Sequence, residues 1–190
     1  MTTTKSTVST CGAGQVRSQY AALCWRVHRG HAQVLLITSR DTGRWVIPKG
    51  WPMDGLCPHE AAKAEAWEEA GVKGEIANDS IGLYSYDKMM GPAAPLPCVV
   101  AVYALRVTGL ADRFPEAKQR QRKWFSADKA ARLVAERDLR TLLAGLTVTP
   151  TGLTGPARDN PERRKDVQPD PGGPDAATGS STAPTEALES

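Results

Sequence analysis

One stretch of this chain decides its fold. From Trp45 to Val72 the residues read WVIPKGWPMDGLCPHEAAKAEAWEEAGV. A short apolar strand leads through a loop rich in Pro and Gly into a helix, which ends at Gly71 because glycine readily adopts the left-handed conformation that stops a helix. The helix carries three glutamates, Glu65, Glu68 and Glu69, at offsets that place them on one face.

The spacing of these glutamates favours a metal site. Like charges three and four residues apart repel by a few tenths of a kcal/mol per pair, and a divalent cation converts that repulsion into attraction. Carboxylate oxygens suit hard cations such as Mg²⁺ or Mn²⁺. The alternative is an acidic face exposed to solvent. A stripe of small residues beside the glutamates, Ala62, Ala66 and Ala70, predicts that the helix packs closely and leaves them at the edge of a cleft.

The stretch from Gly50 to Val72 resembles the Nudix box. That pattern is Gly, five residues, Glu, seven residues, Arg-Glu, an aliphatic residue, any residue, Glu-Glu, any residue, Gly and an aliphatic residue. The positions that match are Gly50, Glu65, Ala66, Glu68, Glu69, Gly71 and Val72. The resemblance implies an α/β fold, a Nudix-type α/β/α sandwich with a mixed β-sheet, and a pyrophosphohydrolase that depends on Mg²⁺, with Mn²⁺ as an alternative.

Two box positions depart from the family. Leu56 stands where the family has its first Glu, and Ala64 stands where it has Arg. The family's Arg is an ion-pair partner that orients the box carboxylates, and Lys63 cannot replace it because it points to the opposite side of the helix. Two expectations therefore stay open: an active enzyme, or a degenerate Nudix domain that acts as a ligand sensor or binding module.

The resemblance also assigns roles to individual residues. It implies that Glu65, Glu68 and Glu69 hold the metal ion, together with the main-chain carbonyl of Gly50. Glu65 or Glu69 would be the catalytic base, and Glu116, in a later loop, is a further candidate for that role.

A second motif bears on the substrate. Between residues 118 and 123 lie four cations, Lys118, Arg120, Arg122 and Lys123. Arginine can hold phosphate with two hydrogen bonds, although a basic edge strand that discourages sheet pairing is an equal alternative. The run ends in Trp-Phe, and with the Pro-Lys-Gly before the box it resembles the diphosphoinositol polyphosphate phosphohydrolase subgroup.

Enzymes of that subgroup cleave diphosphoinositol polyphosphates and dinucleoside polyphosphates. The resemblance predicts phosphate contacts from Lys49, Lys88, Arg120 and Arg122. A nucleotide-derivative pyrophosphatase, acting for example on ADP-ribose, is the alternative enzyme.

The chain divides by composition into three parts. Residues 1–16 are rich in Thr, Ser and Gly and are predicted to be disordered. Residues 17–147 form the Nudix domain, which begins with a hairpin of strands at 19–27 and 33–38. Near its end, Ser126 is predicted to cap a helix. Residues 148–190 are rich in Pro, Gly and charge, and are predicted to be a disordered tail.

Composition also limits the kinds of partner that we expect the protein to bind. The formal net charge is +3, and no apolar run suggests a signal peptide or a membrane span. We therefore expect a cytoplasmic protein whose partner is a small anionic polyphosphate, and we expect it to bind neither membrane nor nucleic acid.

Overall fold

A mixed sheet with helices on both faces forms the domain. The computed structural model describes residues 16–89, 91, 94–149 and 152–156. Its strands are β1 (Arg17–His28), β2 (His31–Thr38), β3 (Trp45–Val46), β4 (Lys49–Gly50), β5 (Val72–Lys88), β6 (Leu96–Leu110), β7 (Arg122–Ser126), β8 (Thr147–Thr149) and β9 (Gly152–Thr154), and its helices are α1 (Pro58–Ala70), α2 (Ala127–Leu133) and α3 (Arg137–Ala144).

The sheet has seven strands, and β1 lies at its centre. Its main path is β3-β2-β1-β6-β5, with β4 paired to β1 and β7 paired to β2. The β1–β6 pair is parallel, and the other pairs are antiparallel. The predicted hairpin of β1 and β2 is confirmed, and its two-residue turn at Arg29 and Gly30 has positive φ at both positions, as a tight hairpin requires.

Helix α1 begins and ends through local interactions. The Glu60 carboxylate accepts a hydrogen bond of 2.8 Å from the Cys57 N–H, which satisfies one donor at the helix start. At the other end Gly71 has φ of 63°. A side chain on Gly71 would also meet Phe114, whose Cδ1 would lie 2.6 Å from the added Cβ. The predicted helix stop is therefore confirmed, and glycine is needed there for two reasons.

Two apolar cores separate the layers. The buried side chains of one core lie between the sheet and α1, and they include the predicted stripe of Ala62, Ala66 and Ala70. The other core lies between the sheet and the pair α2–α3. Ser126 caps α2 as predicted, because its hydroxyl accepts a hydrogen bond from the Lys129 N–H. These layers confirm the α/β/α sandwich.

The predicted start of the tail needs correction. The hairpin of β8 and β9 spans the proposed boundary between residues 147 and 148, and Leu153 is buried in the core beside α3. This one large apolar residue supplies the burial that composition did not suggest. Residues 1–15 and 157–190, which make up nearly all of the two segments predicted to be disordered, lie outside the described residues. No helix in the described ranges is long and apolar enough to cross a membrane.

Candidate active site

A cleft of about 760 Å³ lies where the box helix meets the end of the sheet. Helix α1 contributes the three box glutamates, and β4 contributes Lys49 and Gly50. The loop after β2, the end of β5, the loop before β7 and the residue that precedes α3 complete it. The further lining residues are Ser39, Arg40, Asp41, Thr42, Arg44, Val46, Trp51, Tyr86, Asp87, Lys88, Met89, Gly91, Glu116, Arg120 and Glu136.

The box glutamates differ in their surroundings. Glu69 is buried, Glu65 is half-buried and Glu68 is exposed. Glu65 lies directly on the main chain of Gly50, since a Cβ on that glycine would stand 1.7 Å from Glu65 Oε1. Any side chain at position 50 would displace this carboxylate. The box glycine is therefore needed here for close approach.

Glu69 is held on both sides by groups from outside its own helix. Its Oε2 accepts a hydrogen bond of 3.0 Å from the Lys49 N–H, and its Oε1 pairs with the guanidinium of Arg120. Arg120 is almost fully buried. It also donates to Glu116 and to the carbonyl of Thr38, the latter at 3.0 Å. The carboxylate of Glu69 is therefore fixed before any ligand binds.

Glu116 is committed in the same way. One oxygen pairs with Arg120, and the other accepts a hydrogen bond of 2.9 Å from Arg40. The Arg40 side chain is 56% exposed at the rim of the cleft. A chain of alternating charges thus runs from Glu69 through Arg120 and Glu116 to the rim. This arrangement gives Glu116 a structural partner and does not leave it free as a base.

Burial and crowding of charge shift the acidities in the cleft. Burial, and then the charges of Glu69, Glu68 and Glu116, raise the pKa of Glu65 to about 7 from 4.5. Burial also raises the pKa of Glu69, although Arg120 and the Lys49 N–H oppose that change. Both carboxylates therefore carry charge less readily than free glutamate does, unless a further cation joins them.

The donor set fits a divalent cation. Among the residues that the structure describes, no three His, Cys, Asp or Glu side chains converge on one point that would hold a metal ion. However, all the donors are oxygens, which Mg²⁺ and Mn²⁺ prefer, and burial together with the neighbouring carboxylates raises the pKa of Glu65, an effect that a bound cation would oppose. Glu65, Glu68, Glu69 and the Gly50 carbonyl remain the expected ligands.

The predicted phosphate contacts are only partly brought together. Lys49 and Lys88 line the cleft, and the Lys88 ammonium lies 4.5 Å from the centre of the Trp51 ring. Arg120 also lines the cleft, but its donors already serve protein acceptors, so the structure places it as a support for Glu69.

Arg122 corrects the prediction for the basic run. Its Nη1 donates to the carbonyls of Ala70 and Ala111, each at 2.7 Å, and its guanidinium lies over the ring of Phe114. The residue therefore caps the end of α1, away from the cleft. The reason is that β7 begins only at Arg122, so the strand alternation that would place Arg120 and Arg122 on one side does not extend to residue 120.

Sequence reasoning missed five further charged residues of the cleft, two of which are Asp41 and Asp87. Arg40 and Arg44 lie in the turn between β2 and β3, and Glu136 precedes α3. None belongs to a motif, so only the fold indicates their place.

The two departures from the box pattern lie together. Leu56 and Ala64 line the same shallow depression on the outer side of α1, together with Trp67. Glu69 instead lies in the cleft, where Arg120 pairs with it. The replacement of both box residues by apolar ones therefore leaves no unpaired charge, and Glu69 is oriented from another part of the chain.

A family model described as NUDIX domain matches residues 17–146. Among curated proteins, Nudix hydrolase 12, mitochondrial, of Arabidopsis thaliana is 33% identical over 109 residues, which cover 53% of this chain and 51% of that protein. The chain therefore spans about half the length of this relative. Diphosphoinositol polyphosphate phosphohydrolase 3-beta of Homo sapiens is 29% identical over 120 residues, which cover 62% and 69% of the two chains.

Solved structures share the fold. A C. elegans Ap4A hydrolase, determined as a binary complex, matches with a TM-score of 0.54 and 20% identity over 67% of this chain and 93% of that one. The NUDIX domain of Shewanella oneidensis NrtR, determined with ADP ribose, matches with a TM-score of 0.53 and 14% identity, covering 72% and 90%. At these identities the similarity concerns the architecture alone.

Proposed function

Because this chain belongs to the Nudix family, we propose that it is a Mg²⁺-dependent hydrolase that cleaves a diphosphate linkage in a polyphosphorylated small molecule. One observation carries the proposal: a single cleft sets the box glutamates beside a cationic group. The members of that group are Arg40, Arg44, Lys49 and Lys88. The acidic helix face would hold a metal ion, and the basic wall would bind the phosphates of the substrate.

The chain's own residues prepare this cleft for catalysis. Glu65, Glu68 and Glu69, with the Gly50 carbonyl, would hold the ion. When bound, a divalent cation neutralises phosphate charge and lowers the pKa of a water molecule. Arg120 and the Lys49 N–H keep Glu69 in one orientation. Positioning of this kind is the main contribution that a protein makes to phosphoryl transfer.

The substrate class follows from the number of cations. Three cationic side chains line the cleft outside the Arg120 support, namely Arg44, Lys49 and Lys88, and Arg40 joins them at the rim although it also pairs with Glu116. Together they suit a ligand with several phosphates. Diphosphoinositol polyphosphates and dinucleoside polyphosphates are such ligands, and the similarity to a human diphosphoinositol polyphosphate phosphohydrolase supports this choice.

An active enzyme is favoured over a degenerate binding domain. The three glutamates and Gly50 are present, and the loss of the box Glu and Arg is compensated in two ways. Leu56 and Ala64 share one depression, so neither leaves a charge without its partner. Arg120 supplies the orientation of Glu69 that the family's Arg would otherwise be expected to supply.

A substrate panel tests the proposal. Phosphate or nucleotide release is measured with Mg²⁺ from a diphosphoinositol phosphate, diadenosine polyphosphates, ADP-ribose and a nucleoside triphosphate. Glu69→Gln should abolish turnover with the fold intact, while Glu75→Gln, an exposed residue on β5, should leave it unchanged. Turnover of ADP-ribose alone would support the nucleotide pyrophosphatase instead. Binding without turnover across the panel would refute the enzyme.

A further inference from the structure

One glutamate of the cleft belongs neither to the box nor to the Arg120 support. Glu136 immediately precedes α3, yet its side chain does not cap that helix. Its Oε2 is withdrawn from solvent and has no hydrogen-bond partner among the residues that the structure describes. Buried polar atoms are nearly always paired, so an exception inside a cleft indicates a partner that comes from outside the chain.

Lys49 attracts the Glu136 carboxylate electrostatically but does not form a hydrogen bond with its Oε2. The nearby Lys49 is half-buried, and burial lowers the pKa of its ammonium, while the charges of Glu69 and Glu136 oppose that change. The ammonium lies 5.3 Å from the centre of the Tyr86 ring. Tyr86 in turn donates its hydroxyl to Gln19, at 2.6 Å, and so is not free to serve Glu136.

The other cleft glutamates are already assigned. Both oxygens of Glu69 and both oxygens of Glu116 have protein partners. Glu65 and Glu68 are expected to hold the metal ion. Glu136 is therefore the glutamate of this cleft whose charge meets neither a protein donor nor the proposed metal site.

The chemistry of a carboxylate limits what it can meet. A negative oxygen repels phosphate, and it accepts hydrogen bonds but donates none. The part of the substrate that meets it must therefore be a group that donates a hydrogen bond, such as a ring hydroxyl or an amino group. A nucleoside carries such groups on its sugar and base, and an inositol ring carries one wherever a ring hydroxyl is not phosphorylated.

We propose that Glu136 determines specificity by accepting a hydrogen bond from the hydroxyl or amino group of the substrate's organic part. This inference rests on the proposed function. It also gives the cleft a direction, because phosphates lie on the side of the cations and the organic group lies at Glu136. Inorganic polyphosphate, which lacks such a group, gains nothing from Glu136.

Kinetics of Glu136→Gln test the inference, because the amide keeps the shape of the side chain and removes its charge. With the fastest-hydrolysed panel substrate that has a free hydroxyl or amino group, KM should rise about 10- to 100-fold, the range for a hydrogen bond to a charged group, and kcat should stay within about threefold. The inhibition constant of inorganic tripolyphosphate should stay constant or fall. Asp138→Asn is the matched control, since this acid lies in the first turn of α3 and contacts Ser85.

The other outcomes overturn the inference in different ways. A fall of 100-fold or more in kcat with unchanged KM would assign Glu136 to proton transfer. Unchanged kinetics, or equal weakening of tripolyphosphate, would remove its role in specificity. If the wild type hydrolyses nothing, the proposed function fails, and calorimetric binding of the panel molecules decides the inference separately. Weaker binding to Glu136→Gln would then support it, and equal binding would refute it.

Discussion

Replacing Glu65 with Gln should stabilise the metal-free protein at high pH. The pKa of Glu65 is raised to about 7 in the folded chain, from 4.5. Below pH 4.5 the carboxyl is protonated and imposes no penalty. As the pH rises towards 7, the unfolded chain releases its proton more readily than the folded chain does, so the free energy of unfolding falls. Glutamine is neutral throughout and escapes the loss.

The size of the effect follows from the difference in pKa. The rise in the pKa of Glu65 from 4.5 to about 7 corresponds to roughly 3 kcal/mol of lost stability at pH 8. Because Glu65 is only half-buried, solvent screens part of this, and we expect about 1–2 kcal/mol. For a domain of this size, that is a rise of about 3–7 °C in Tm.

Thermal unfolding in the presence of a chelator measures the effect at pH 4.5 and pH 8. Glu65→Gln should have a higher Tm than wild type at pH 8 and nearly the same Tm at pH 4.5, and Glu75→Gln should match wild type at both. Excess Mg²⁺ should reverse the order at pH 8, because it stabilises only the protein that binds it. A Glu65→Gln variant that is less stable than metal-free wild type at pH 8 would refute the view that burial and neighbouring negative charge make the ionised Glu65 destabilising.

Three further predictions concern the support of the box, the phosphate wall and the helix end. Arg120→Ala should lower kcat about 100-fold and weaken Mn²⁺ binding, measured by electron paramagnetic resonance, because Glu69 loses its orientation. Arg120→Lys should recover part of the kcat and part of the Mn²⁺ affinity. If Arg120→Ala left the Mn²⁺ affinity unchanged, a positioning role would be contradicted. Lys88→Met should raise KM for a polyphosphate substrate and weaken the dependence of KM on salt concentration, with kcat little changed. An unaltered KM would show that Lys88 does not contact the phosphates. Gly71→Ala should lower the free energy of unfolding by about 2 kcal/mol or more, because φ is positive and the new Cβ meets Phe114. A loss below about 0.5 kcal/mol in denaturant unfolding would show that the contact relaxes freely.

Local features of the fold were predictable because neighbouring residues encode them. The left-handed turn at Gly71, the cap at Ser126 and the hairpin of β1 and β2 each depend on chemistry within a few residues. The helix face with Glu65, Glu68 and Glu69 follows from helical periodicity alone. The structure agrees with the sequence at each of these points.

Other predictions depended on where a strand begins or where a segment packs. Arg120 and Arg122 were expected to act together on phosphate, but the start of β7 at Arg122 separates them. The ordered strand pair beyond residue 147 was missed because Leu153 packs into a core most of whose other residues are distant in the sequence. A cytoplasmic location stays a prediction.

The sequence by itself determined the family, the box helix and the residues available for a metal ion, because these follow from spacing within one short stretch. Only the tertiary structure decided which side chains share the cleft. Arg120 meets Glu69 across a gap of 51 residues in the chain, and Glu136 reaches the cleft from the far layer of the sandwich. Contacts of this kind form when separate layers pack against one sheet, and no local sequence pattern indicates where a side chain then points.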